Sequence, residues 1–171
     1  MTRSAVTILA LSLSGAGALL AQHPVIAEQK AAYTNNKNNV IKAAEKMPEE
    51  AYGFKPTPEM ETFAQRIIHV ANQIGTCSSL TGERKPNPAA GKTAKADIVA
   101  GLKTSFEACD TAWEAINNET AAEMVAGRGG QQRSKITALI GNTTHNTEMY
   151  GYISVYMRLK SVVPPTSDRS N

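Results

Sequence analysis

What this chain of 171 residues lacks narrows its class first. It has no strong charge of either sign: 18 Lys and Arg stand against 15 Asp and Glu, a formal net charge of +3. No basic tract or interleaved aromatic pattern marks a phosphate-tracking surface, so nucleic acid is not an expected partner. Cysteine is limited to Cys77 and Cys109, whose wide separation is not a zinc-knuckle spacing. No segment carries the sustained period-two alternation of a half-buried strand. There is no internal repeat and no sign of a second domain.

Long apolar runs are missing as well. The one candidate, Ala5 to Leu20, is about 16 residues long and is diluted by Ser12, Ser14, Gly15 and Gly17, short of the roughly 20 apolar residues that a spanning helix needs. A stable membrane anchor is therefore not expected. With Arg3 ahead of the run and small residues behind it, Met1 to Ala27 reads as an export signal cleaved after Ala21 or after Ala27, which makes the protein periplasmic or secreted. Loss of Arg3 takes the formal charge from +3 to +2 (17 − 15). The remaining roughly 145 to 150 residues suit one domain able to bury a core without metal or disulfide staples.

What is present is helical periodicity, in four stretches. The first, Glu28 to Met47, presents Tyr33, Val40, Ala44 and Met47 on one side; its Asn35, Asn36, Asn38 and Asn39 make it the weakest helix, and Pro48 ends it. After a connector with Tyr52 and Phe54, Thr57, Pro58 and Glu59 predict the start of the second helix near Pro58. Its stripe is Met60, Phe63, Ile67, Val70, Ile74 and Cys77, spaced as a bundle seam. A long polar connection, Gly82 to Gly91, precedes the third helix, Lys92 to Asn117, which carries Ile98, Leu102, Phe106, Cys109, Trp113 and Ile116 at the same spacing. Gly127, Gly129 and Gly130 break the chain. The fourth helix, Gln131 to Val162, shows one stripe of Ile136, Leu139, Thr143, Tyr150, Ile153 and Met157 and a second of His145, Met149, Tyr152 and Tyr156. Pro164 and Pro165 terminate it. The expected fold is an all-α four-helix bundle over residues 28–165 with a mobile tail, Thr166 to Asn171. The connector between the second and third helices is long enough to cross the bundle end, allowing those two helices to run parallel.

From Glu28 to Ser167 the chain resembles the DinB-like family of four-helix bundles, which includes YfiT-like metal proteins and thiol-dependent transferases, and in particular its exported bacterial branch. The resemblance rests on Tyr52-Gly53-Phe54-Lys55-Pro56, on the phrase from Phe63 through His69 to Ala71, and on Glu148-Met149-Tyr150-Gly151 continuing through Tyr156 to Lys160 and Val163-Pro164-Pro165. It implies an up-down-down-up helix order and a cleft in which three histidines hold a divalent metal such as nickel or zinc. Carried over residue by residue, the first ligand falls on His69, the second on His145, and the third on Met149. A thioether is a weak ligand for such ions. Glu148, three residues after His145, is the nearby substitute ligand.

Cys77 and Cys109 both fall on core seams. In an exported protein an even count invites a disulfide; two buried packing thiols are the equal alternative. The aromatic residues Trp113, Tyr150, Tyr152 and Tyr156 read as core or as the wall of a small-molecule pocket. The leading functional expectation is an exported DinB-like protein with a cleft derived from a three-histidine metal site, binding a small-molecule ligand or retaining weak metal affinity. The first alternative is a metal-dependent hydrolase or thiol transferase using His69 and His145. The second is a non-catalytic structural or interaction module, and a homodimer is compatible with either.

Overall fold

The computed structural model describes residues 24–169. Most of the expected export signal, residues 1–23, lies outside them. The described residues form five α-helical segments, α1 (Pro24–Lys46), α2 (Phe63–Ala71), α3 (Ile74–Ser79), α4 (Lys95–Glu114) and α5 (Lys135–Leu159), with one small hairpin of β1 (Met124–Ala126) and β2 (Gln132–Ser134). Consecutive turns join α2 to α3, so these two segments occupy one corner and the architecture is a four-helix bundle. Among the described residues no helix is long and apolar enough to cross a membrane.

The helix directions follow from which residues meet. Lys37 pairs with Asp110 and Glu45 with Lys103, so α1 and α4 are antiparallel. Ser105 donates to the Ala71 carbonyl and Cys109 bridges Cys77, so α4 runs parallel to α2 and α3. Tyr156 reaches Glu61 and His145 meets His69, so α5 runs against α2. The order is up-down-down-up, as the resemblance implies.

Packing overrides local propensity in α1. Its asparagine run does not interrupt the helix, because Tyr33, Val40, Ala43 and Ala44 are buried and Tyr33 stacks on Trp113 with ring centroids 5.6 Å apart. Asn36 is buried too, and its side-chain amide donates to Thr147 Oγ1 on α5 at 3.2 Å.

The second helix differs from expectation at both ends. Pro58 lies in a turn and α2 begins at Phe63, with Thr62 as its N-cap: the Thr62 hydroxyl accepts from Gln65 N while the Gln65 side chain accepts from Thr62 N. This reciprocal pair satisfies two of the orphan donors of the first turn. The segment before it is used to bury Tyr52, whose hydroxyl donates to the Ala44 carbonyl at 2.6 Å. The seam residues Ile74 and Cys77 are buried as expected, but the helix that carries them is not continuous. At Asn72 and Gln73 the backbone bonds tighten to the i−3 carbonyls of His69 and Val70, and the carbonyls of Ile68 and Ala71 are taken by the Asn87 amide and the Ser105 hydroxyl. Such a turn of 3₁₀ geometry inside a helix re-aims the side chains beyond it.

The other boundaries are tighter than expected. The third helix spans Lys95–Glu114, and the fourth begins only at Lys135, with Ser134 as N-cap. Residues Gln132–Ser134, assigned to helix by periodicity, pair antiparallel with Met124–Ala126, and Gly129 and Gly130 supply the positive φ of the intervening turn. The tail expected to be mobile from Thr166 is fastened as far as Asp168. Thr166 bonds the Tyr150 hydroxyl, Ser167 accepts from Arg158, and Asp168 pairs with Lys46 at 2.6 Å.

Cys77 and Cys109 form a disulfide with a Cα–Cα distance of 4.8 Å, fully buried. The two cysteine-bearing helices are side-by-side neighbours, which brings the Cα atoms inside the limit of about 7 Å for a bridge.

Candidate functional site

Residues of α2 and the turn after it face residues of α5 in three successive layers. Arg66 lies against Met149, His69 against His145, and Gln73 against Asn142 and Asn146. The steps of three or four residues on each helix are those of one helix face, running in opposite directions on antiparallel partners.

In the middle layer His69 Nε2 and His145 Nε2 are 3.0 Å apart, with ring centroids 5.1 Å apart and the planes tilted by 53°. One ring must donate and the other accept, so the two facing nitrogens share a proton. Glu148 Oε2 lies 3.9 Å from His145 Nδ1. It therefore faces the ring nitrogen that His69 does not, beyond hydrogen-bond reach, and is not placed to complete a ligand set with the two Nε2 atoms.

The layer that should supply the third ligand is occupied otherwise. Met149 is buried, and its sulfur sits 3.9 Å from the Arg66 guanidinium. Arg66 also packs over the Tyr152 ring, 5.0 Å from its centroid, and lies 3.2 Å from Glu61. Among the described residues no group of three or more His, Cys, Asp or Glu is arranged to hold a metal.

Two imidazole nitrogens on one tetrahedral zinc, each at about 2.0–2.1 Å, would stand roughly 3.3 Å apart. The observed pair would need to open by only a few tenths of an ångström to accept such an ion. The donor set nevertheless stops at two, with a thioether and a guanidinium beside it, so the residues present do not fit the three-imidazole site that the resemblance implies.

The third layer was not anticipated from the sequence. Gln73 Oε1 accepts from Asn142 Nδ2 at 3.0 Å and from Asn146 Nδ2 in a shorter bond. Asn142 Nδ2 also lies 3.6 Å and 3.8 Å from the two sulfurs of the disulfide. The sequence does hold a signal for it. The α5 seam runs Leu139, Thr143, then Tyr150, and the vacant seam position between them is Asn146, which is 0% exposed.

His69 and His145 stand at one wall of a cleft of about 410 Å³ between α2, α3, the start of α5 and the hairpin. Gln73, Asn142, Arg84 and Arg133 also line it. Of the aromatic residues considered as pocket walls, Trp113 and Tyr156 are core, Tyr150 is buried against the tail, and Tyr152 stacks on Arg66; none lines this cleft.

The family model of the DinB superfamily matches residues 32–153. Among solved structures, a DinB-like protein from Bacillus cereus superposes with a TM-score of 0.68 at 18% identity, over 82% of this chain and 95% of that one. A DinB-like protein from Bacillus subtilis gives 0.63 at 16% identity, over 83% and 99%. A mutant of a mycothiol-dependent maleylpyruvate isomerase gives 0.53 at 16% identity, over 72% of this chain and 60% of that one. No curated protein matches the chain.

Proposed function

Because this chain belongs to the DinB superfamily, we propose that its α2–α5 cleft is a small-molecule binding site derived from a divalent-metal site, with Met149 in the place of the third ligand. The carrying observation is the contact of His69 and His145 at 3.0 Å, beside a layer in which Met149 and Arg66 fill the third ligand's place. In that arrangement the imidazole pair works as a hydrogen-bonding couple. Each Nε2 is engaged by the other at 3.0 Å, so a polar ligand is bound at this point by parting the pair, which frees one Nε2 as donor and the other as acceptor; Glu148 Oε2 stands 3.9 Å from His145 Nδ1. A catalytic step through a resident metal is not part of the proposal, which sets aside the hydrolase and thiol-transferase alternatives.

Export through the N-terminal segment belongs to the same proposal, with the mature protein in an oxidising periplasmic or extracellular space. The Cys77–Cys109 bridge suits that compartment. Of the two cleavage positions, Ala21 is the one that leaves α1 intact. A cut after Ala27 would remove Ile26, which is 5% exposed and part of the core. N-terminal sequencing of the processed protein should therefore read from Gln22.

Zinc titration by calorimetry on tag-free protein tests the functional reading. Two imidazoles without a third should bind zinc no more tightly than about 10 µM, and His69→Ala should remove even that. Stoichiometric metal in the purified protein with nanomolar affinity would overturn the proposal and restore the metalloenzyme reading.

A further inference from the structure

The lining of the α2–α5 cleft is one-sided in its chemistry. Two arginines, Arg84 and Arg133, and two histidines contribute to it together with amides and hydroxyls, and it contains no Asp or Glu. None of the ion pairs found among the described residues involves Arg84 or Arg133. Elsewhere the molecule does pair its cations: Lys37 with Asp110, Lys103 with Glu45 and Lys135 with Glu123.

Both arginines are held in place. The Arg84 guanidinium lies against Gly75 of α3, so closely that a Cβ there would fall 2.8 Å from Arg84 Nη2, and Nη1 donates to the Gly75 carbonyl at 3.4 Å. The Arg133 stem passes over Gly127, with Cδ and Nε 3.4 Å and 3.5 Å from where a Cβ would stand. Its Nε is buried and has no hydrogen-bond partner. Beside them Gln73, 6% exposed, carries a second buried donor without a partner, Nε2. Buried donors left unpaired are costly, and two of them, Arg133 Nε and Gln73 Nε2, border this cleft; Arg84 is exposed and brings its charge from the rim.

Resting on the small-molecule reading above, we infer that the cleft binds an oxyanion, a carboxylate or phosphate group of a small molecule, with Arg84 and Arg133 as its charge partners and Gln73 Nε2 as a neutral donor. Guanidinium groups suit such ligands because their donors are arranged in a fixed fork that matches carboxylate and phosphate oxygens. A cleft of about 410 Å³ is at the small end of ligand sites. The His69–His145 pair stands at the same wall, within the site that the anion would enter.

The test is calorimetric titration of the full mature chain with inorganic phosphate and with succinate, against propionamide as a neutral control, at constant ionic strength. Phosphate or succinate should bind in the millimolar range or tighter, and propionamide should not bind. Arg84→Gln and Arg133→Gln should each weaken the anion at least tenfold. Gly75→Ala keeps both arginines but displaces the Arg84 guanidinium, and it should weaken the anion as well while melting no lower than wild type. Equal binding of propionamide, no binding of either anion, or unchanged affinity in all three variants would overturn the inference. Zinc titration of the same preparations separates the two proposals. Weak zinc binding with no anion binding defeats only the oxyanion assignment, whereas nanomolar zinc binding defeats the reading on which it rests.

Discussion

Removing the Cys77–Cys109 bridge should cost this bundle a large part of its stability. The two cysteines are separated by 32 residues in sequence, and the closed loop contains the long connector between the parallel helices α3 and α4. Loop-closure entropy for a ring of that size gives about 3.7 kcal/mol at 25 °C. No other covalent tie joins these helices, and the core around the bridge is already dry: Cys77 and Cys109 are both 0% exposed. A domain of this size has roughly 5–15 kcal/mol in total, and at roughly 2–4 °C per kcal/mol the melting temperature should fall by about 7–15 °C. The measurement is urea denaturation of wild type and of Cys77→Ala/Cys109→Ala, each with and without reductant. Reductant should destabilise the wild type and leave the variant unchanged, and mass spectrometry of alkylated denatured wild type should show no free thiol. A difference under about 1 kcal/mol, or two alkylated cysteines without reductant, would refute the reasoning.

Two further outcomes follow from side chains that the fold places. Burial, and then the hydrogen bond to Asp110, raises the Tyr33 phenol far above its usual value, and burial does the same for Tyr52. The neutral phenols contribute stability that is fully present below pH about 10 and is lost as pH rises above it, at up to about 1.4 kcal/mol per pH unit for each group. Urea midpoints between pH 9 and 11 should therefore fall more steeply for wild type than for Tyr33→Phe, and parallel slopes would contradict this. Thr62→Ala removes the capping box of α2 and should cost about 1 kcal/mol by the same assay, whereas Thr57→Ala, at the expected but unused cap, should change stability by less than about 0.5 kcal/mol.

The periodic seams were legible because spacing alone decides them. Phe63, Ile67 and Val70 on α2, and Ile98, Leu102, Phe106 and Cys109 on α4, are all fully or almost fully buried. Helix starts were less legible where two signals competed. Thr57-Pro58 is a good start by composition, but Thr62 with Gln65 satisfies two donors at once, and the residues before it are needed to bring Tyr52 onto α1. The break at Asn72 and Gln73 has no local cause in sequence; it is stabilised by Asn87 and Ser105, which are distant in the chain. The three-residue strands of the hairpin are too short to carry a period. In the site, the facing of His69 and His145 came from family resemblance, since both side chains lie off the apolar seams. Arg84 and Arg133 are not legible as site residues because each reaches the cleft from a connection between helices, and nothing in the local sequence says where such a side chain comes to rest.

If His69, His145 and position 149 are the three corners of one former metal site, a histidine placed at 149 should complete it, and zinc titration of Met149→His measures whether it does. The new imidazole would replace a thioether one turn beyond His145 on the same helix face. It should raise zinc affinity at least a hundredfold over wild type, a gain of about 2.7 kcal/mol or more. Adding Arg66→Gln, which removes the cation beside that position, should raise it further. Adding His69→Ala instead should abolish the gain, because His69 comes from a different helix. A Met149→His protein that binds zinc no better than wild type, with or without Arg66→Gln, would leave the histidine pair unrelated to any metal site.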